Sequence, residues 1–394
     1  MAFESDGGAF NPAHGQHGNG LDAHDRSVVC SGVRRKAVIA PRPPATAGRE
    51  TSMKPRNPVS RRVFLSILGS ASIAVGCARS ESEAERATSK PGSANDTARR
   101  APKKLSEIVI GFSQTGAESS WRVAHSKSVQ EEAEKRKIQL LFADGQNVHN
   151  NQINAVNGFI TKGVDIIVIA PQESLGWKPT LKEAKRAGIP VVLTSRGVDA
   201  DEDLYETVLV ADFVWEGRQA GEWLAKQTNG SARIIELVGT PAADVATMRK
   251  AGFAEAIAKH PDMKIIASQS GDFTRTKGKA VMETLLSAHK GEINAVYAHN
   301  DDMALGAIQA IEAAGLKPGK DILVVSVDAV KPAFEAMIEG KLNATVECSA
   351  VHGPLLFDTI EKIARGEKVP KRTIVPGKVF ERDQAAALIS TRPY

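Results

Sequence analysis

The sequence predicts an α/β fold of two doubly wound parallel-sheet lobes joined by a multi-strand hinge, and three observations carry that expectation. From Ser106 onward, short runs rich in Ile and Val alternate with amphipathic helical stretches. Residues 106–394 exceed the size at which a single hydrophobic core usually stops growing, so two lobes are expected. Side chains with forked polar ends, Arg, Asn and Asp, follow the ends of the runs in both halves.

The runs are Ile108–Phe112, Ile138–Phe142, Asp165–Ala170, Pro190–Thr194, Thr207–Val210, Arg233–Val238, Lys264–Ser268, Ala295–Ala298, Ile322–Val327 and Ala344–Glu347. Near-continuous apolar, β-branched runs mark strands covered on both faces, the habit of parallel sheets. Helical windows such as Trp121–Lys137, Asn151–Lys162, Thr180–Ala187, Phe213–Thr228, Ala243–Lys259, Lys277–His289 and Asp302–Ala314 separate them. Parallel neighbours joined through a helix require right-handed crossovers. Gly163 and Gly188 stand where a helix must stop before the next strand. A new strand-helix series begins at Ala211-Asp212, and the late run at Ala344–Glu347, with short segments through Phe380, takes the chain back across. The first lobe is therefore expected over 106–211 plus 349–377 and the second over 212–348 plus 378–394.

The formal charge of +5 belongs to the leader. Residues 1–104 hold 17 basic and 9 acidic side chains, which leaves 34 against 37 for the rest. A slightly acidic body without basic clusters is a poor phosphate binder, so no nucleic-acid partner is expected. Residues 1–52 show no apolar period and read as a disordered or untranslated extension, and His14, His17 and His24 share no helical spacing that would make a metal tract. An export signal is expected over 53–77, starting at Met53: basic Lys54, Arg56, Arg61 and Arg62, apolar Val63–Gly76, then Cys77. Its 14 apolar-region residues are too few to cross a core of about 30 Å as a helix. Ser60-Arg61-Arg62-Val63-Phe64-Leu65 resembles a twin-arginine signal, and Ala74-Val75-Gly76-Cys77 a lipobox with Ala74 in place of a larger aliphatic, so Cys77 is the expected lipidation point. Residues 78–105 read as a polar tether. With Cys77 as the terminus, Cys348 is the sole free thiol and no intrachain disulfide forms.

Ligands of open α/β sheets sit outside the carboxyl ends of the strands. Ser113 to Arg122 follow the first run and include Trp121 and Arg122; Ser195 and Arg196 follow Leu193; Gly239-Thr240 leads on to Arg249. Gly271, Asp272 and Phe273 follow Ser270, His299 to Asp302 follow Ala298, and Asp328 follows Val327. Carboxylate and guanidinium forks take adjacent hydroxyls in pairs, while aromatic faces cover C–H surface, so the set suits a neutral polyhydroxylated ligand. The plainer readings are a helix cap for Asp301 or Asp302, core positions for Trp121 and Trp177, and ion pairs for Arg196 and Arg249. Enzyme signatures are missing. Asp301 and Asp302 are adjacent and point apart on one helix, His299-Asn300-Asp301 lacks a second His at metal spacing, and six residues separate Gly271 from Gly278 where a phosphate loop needs four. No Gly-x-Ser-x-Gly turn occurs.

Several runs together resemble a family, the periplasmic sugar-binding proteins of ABC importers, in the ribose-binding group and its galactofuranose-binding branch. They are Gly111-Phe112-Ser113-Gln114, Glu131-Glu132-Ala133-Glu134-Lys135-Arg136, Ala143-Asp144-Gly145-Gln146, Lys182-Glu183-Ala184-Lys185, Gly252-Phe253-Ala254-Glu255-Ala256-Ile257, Gln269-Ser270-Gly271-Asp272-Phe273-Thr274-Arg275 and Tyr297-Ala298-His299-Asn300-Asp301-Asp302-Met303. The resemblance implies a type I periplasmic binding protein fold and no enzymatic activity. It implies a monosaccharide ligand, galactofuranose-like, pentose or hexose, and an ABC permease with its ATPase subunit as partner. No cofactor and no metal are implied. A monomer is expected in the periplasm or at the outer face of the cytoplasmic membrane, touching the membrane only through a lipid on Cys77. Carried over residue by residue, the first-lobe contacts are Trp121, Arg122, Arg196 and Asp144, and the second lobe supplies Arg249, Asn300 and Asp328 with Phe273 nearby. Two positions depart from the pattern: Ser195 stands where the family has Asp, and Cys348 where ribose binders carry Gln. Two other roles use the same fold: a ligand-binding accessory of a membrane sensor, and a regulator of the lactose-repressor type, which requires an N-terminal helix-turn-helix that this leader does not offer.

Overall fold

The computed structural model describes residues 107–394; the extension, the export signal with Cys77 and the tether expected ahead of them lie outside the described residues. The first sheet is built from β1 (Val109–Gln114), β2 (Gln139–Asp144), β3 (Ile166–Ile169), β4 (Val191–Thr194) and β5 (Thr207–Val210), with α1 (Ser120–Lys135), α2 (His149–Lys162) and α3 (Lys178–Arg186) between them. Alternation along the strands decides the layers. Ile110, Phe112, Ile166 and Val168 face one side and pack with Val129 and Ala133 of α1. Ile167 and Ile169 face the other side, with Val156 and Phe159 of α2 and Leu181 and Ala184 of α3.

The chain then enters the second lobe through α4 (Phe213–Gln227), β6 (Ser231–Val238), α5 (Asp244–Ile257), β7 (Asp262–Ser270), α6 (Arg275–Ala288), β8 (Ala295–Ala298), α7 (Asp301–Ala313), β9 (Leu323–Asp328), α8 (Lys331–Ile338) and β10 (Ala344–Glu347). It crosses back through Cys348 to His352 into α9 (Gly353–Ala364), which packs on α1, and β11 (Arg372–Ile374), which pairs with β5. A third crossing leads to β12 (Val379–Glu381) and the short α10 (Ala385–Leu388).

The two sheets run in the orders β11-β5-β4-β3-β1-β2 and β12-β10-β9-β8-β6-β7. The strands pair in parallel as expected, except that β12 joins β10 antiparallel. β10 ends at the hinge and β12 begins there, so the returning strand must run the opposite way. Among the described residues no helix is long and apolar enough to cross a membrane.

Candidate functional site

A cavity of about 340 Å³, counting the open space at its mouth, lies between the carboxyl ends of the two sheets. Trp121, Arg122, Ser195 and Arg196 line it from the first lobe, and Arg249, Phe273, Asn300 and Asp328 from the second. Glu118, Ser119, Phe213, Val245 and Cys348 complete the wall.

On the first-lobe side, the Ser119 hydroxyl caps α1 by accepting the Arg122 backbone N–H at 3.2 Å, which fixes the turn from which Trp121 and Arg122 project. Arg122 donates through Nε to Glu118 (3.2 Å) and through Nη1 to Ser195 (2.9 Å) and Gln114 (3.3 Å). Glu118 was not singled out from the sequence, although its spacing to Arg122 is that of a helical ion pair. Its side chain is 5% exposed, and its Oε2 is buried without a protein partner. Arg196 donates to the carbonyls of Pro171 (3.3 Å) and Gln172 (3.0 Å). Burial, followed by repulsion from Arg122, brings its guanidinium down to about 10.

On the second-lobe side, Arg249 donates to Glu216 Oε2 (2.8 Å) and to the His299 carbonyl (2.5 Å), and lies 3.5 Å from Asp328. Gly217 makes that placement possible, since a Cβ there would stand 2.0 Å from the Arg249 carbonyl. Burial works against the Arg249 charge, but Glu216 and Asp328 outweigh it and hold the guanidinium above its ordinary value. Burial in turn raises Asp328 well above the usual carboxylate range and keeps the Cys348 thiol protonated. The Phe273 ring lies against Gly239, where a Cβ would come within 1.9 Å of it.

Three lining residues other than glycine, Ser195 (φ 62°), Phe273 (φ 62°) and Asp328 (φ 124°), occupy the left-handed half of backbone space. Such strain gathers where a side chain must be aimed and the surroundings over-determine it.

Two expectations are corrected, and the plainer reading of Trp177 stands. Asp144 is exposed at the end of the edge strand β2, outside the cavity lining, because its carboxylate turns back to accept the Gln146 N–H at 2.7 Å. Neither Asp301 nor Asp302 caps α7. Asn300 does, accepting the Met303 N–H at 3.1 Å while its Nδ2 donates to the Phe273 carbonyl at 3.0 Å. Asp301 is buried among Ser326, Thr345 and the Val330 N–H, and Asp302 reaches across the cleft. Trp177 is a core residue, fully buried with its indole N–H on the Glu173 carbonyl at 2.9 Å.

The lobes meet on both sides of the cavity. Asp302 accepts the Ser120 N–H at 2.6 Å and also holds Arg275 at 2.8 Å. On the other side, Asp244 accepts the Gly197 N–H at 2.8 Å, and the Ser174 N–H donates to the Ala242 carbonyl at 3.0 Å. Arg196 stacks over Phe273 at 5.2 Å, and the Trp121 indole N–H donates to the Cys348 carbonyl at 2.6 Å. A small polar cavity closed between two hinged sheets defines a binding protein of the bilobal class.

Residues 110–352 match the model of the periplasmic binding protein domain. The chain is 50% identical over 283 residues to the galactofuranose-binding protein of Escherichia coli, covering 71% of this chain and 89% of that one. A solved structure of the periplasmic binding protein of the arabinose ABC transporter from Shewanella, bound to α- and β-L-arabinofuranose, aligns with a TM-score of 0.71 at 50% identity, over 73% of this chain and 96% of that one. A Mycobacterium smegmatis protein in complex with β-D-fucofuranose aligns at 0.71 and 48% identity, over 72% and 94%. The chain belongs to the periplasmic binding protein family, among its sugar-binding members of ABC import, and is a binding protein and not an enzyme.

Proposed function

We propose that the chain captures a monosaccharide in its five-membered-ring form between the two lobes and presents the closed form to an ABC permease. The observation that carries this reading is the lining itself: three guanidinium forks and the unpaired Glu118 Oε2 converge from both lobes beside Trp121, Phe213 and Phe273. Guanidinium donors and a carboxylate acceptor take sugar hydroxyls in pairs, and the rings cover the C–H surface. In this reading Trp121, Arg122, Ser195, Arg196 and Glu118 form the first-lobe grip, and Arg249, Asn300, Asp328 and Phe273 the second. The furanose form is supported by the three relatives above, whose names carry galactofuranose, arabinofuranose and fucofuranose.

The lobes divide at 106–211 plus 349–377 and 212–348 plus 378–394. The mature chain starts at Cys77, lipidated, and works as a monomer. Replacing Arg61 and Arg62 by Lys tests the export route, since normal export of that variant removes the twin-arginine reading.

A thermal-shift screen of pentoses, hexoses and polyols tests the main claim, because a ligand at 100 times its Kd adds about 2.7 kcal/mol of stability. No shift with any sugar overturns it. Position 195 tests the ligand choice. Ser195→Asp places two acceptors beside Arg122 where one hydroxyl now stands, so preference should move toward galactofuranose. Equal galactofuranose affinity in calorimetry for both proteins would show that this side chain does not select the sugar.

A further inference from the structure

Behind the first-lobe wall lies a buried polar chain that sugar contact does not explain. Gln114 Oε1 accepts the Thr115 N–H at 2.9 Å and Arg122 Nη1 at 3.3 Å, which fixes the amide and makes its Nε2 the donor to His125 Nδ1 at 3.1 Å. His125 then carries its proton on Nε2, 3.3 Å from Thr194 Oγ1. The Thr194 hydroxyl is left to donate to His352 Nδ1 at 2.9 Å. These side chains come from β1, α1, the end of β4 and the second crossover, and none is more than 1% exposed. The two imidazoles also frame Trp121. His125 stacks on it at 5.1 Å and 10°, and His352 meets it edge-on at 6.0 Å and 85°.

We infer that Gln114, His125, Thr194 and His352 form a positioning relay that sets the Arg122 fork and the Trp121 plane from the hinge segment Cys348 to His352, so that sugar contact and hinge conformation move as one unit. The inference rests on the reading of the cavity as a sugar site. An apolar cluster of equal volume would fill the space, but it would have no donor order. Here Gln114 is pinned by a backbone N–H, so the order from Gln114 through His125 to Thr194 is fixed, and the Thr194 hydroxyl finds an acceptor for its own proton only in His352 Nδ1, whose ring ends the chain with Nε2 buried and without a partner. Trp121 is tied to the same hinge segment by its own hydrogen bond to Cys348.

The order is measurable without a ligand. Nitrogen-15 histidine spectra of the whole protein at pH 7 should show His125 and His352 as neutral Nε2–H tautomers. Thr194→Val, which removes the one hydroxyl shared by both rings, should free His352 from that single tautomer. With L-arabinose as probe, the same variant should bind about tenfold more weakly. His352→Asn, whose amide oxygen can accept from Thr194, should recover most of the affinity that His352→Ala loses, a rescue that mere space-filling does not give. An Nδ1–H tautomer on either ring, or wild-type affinity in Thr194→Val, overturns the relay. If the wild type takes up no sugar at all, the sugar reading fails, and the relay stands or falls on the tautomers and on whether the Arg122 Nε–H resonance moves in Thr194→Val.

Discussion

On the first lobe two guanidinium groups, Arg122 and Arg196, share one carboxylate, Glu118, whereas on the second a single guanidinium, Arg249, lies among two, Glu216 and Asp328. Burial opposes both charges, and the neighbours then separate them: Arg196, repelled by Arg122, falls to about 10, while Glu216 holds Arg249 above its ordinary value. The second-lobe half is thus paired internally and built before any ligand arrives. The first-lobe half keeps donors in excess and gains most when a ligand oxygen, or the other lobe, comes close. The halves of the cleft divide the work into a rigid platform and a grip.

The largest effect should come from breaking the platform. Arg249→Ala leaves Glu216 buried without its cation, and urea unfolding should register a loss of about 3–5 kcal/mol together with loss of sugar binding. A loss below about 1 kcal/mol would show that the pairing described here is not what holds that side.

Acid should sharpen the contrast next. His352 sits at about 4 in the fold because burial, then Arg122, opposes its charge, against an ordinary value near 6.5. The folded state therefore resists a proton that the unfolded chain accepts. Its neutral form costs nothing above about 6.5, and stability drains as pH falls toward about 4, by about 3 kcal/mol in all. Asp301, in the other lobe, is raised by burial to about 7, so acidification over the same window relieves a penalty there instead. Unfolding of wild type and His352→Gln from pH 7.5 to 4 should diverge by that amount in favour of Gln; parallel profiles would remove the first-lobe contribution.

Arg196→Ala should follow, weakening sugar binding about tenfold to a hundredfold in calorimetry with a smaller stability loss than Arg249→Ala. Its present hydrogen bonds go to backbone carbonyls, and no carboxylate is left stranded. Unchanged affinity would place the grip elsewhere. Asp302→Asn should do least, a twofold to threefold change, because it keeps an acceptor for Ser120 and gives up only a pair with the half-exposed Arg275.

Most of the fold was legible because its strands are buried on both faces and stand out as unbroken runs. The windows named from sequence omit α8 and α9, which carry Pro332 and Pro354 in first turns that tolerate proline. Eight of the nine nominated contacts line the cavity, since strand ends converge there by topology. Asp144, carried over from the resemblance alone, stands at the end of the edge strand and misses the cavity. Glu118 was overlooked beside the more conspicuous Trp121 and Arg122. The pairing of His125 with His352 leaves no local trace, as 227 positions separate them and only the hinge crossover brings them together.

The bonds from Ser120 to Asp302, from Gly197 to Asp244 and from Ser174 to Ala242 join protein to protein and need no sugar. They favour the shut form whether or not the cavity is filled. Strengthening them raises apparent affinity by enlarging the competent population, but it also enlarges the fraction that shuts around water. An empty shut molecule presents the transporter with the same outline as a loaded one. The strength of these few bonds therefore sets a balance between scavenging dilute sugar and idling the pump.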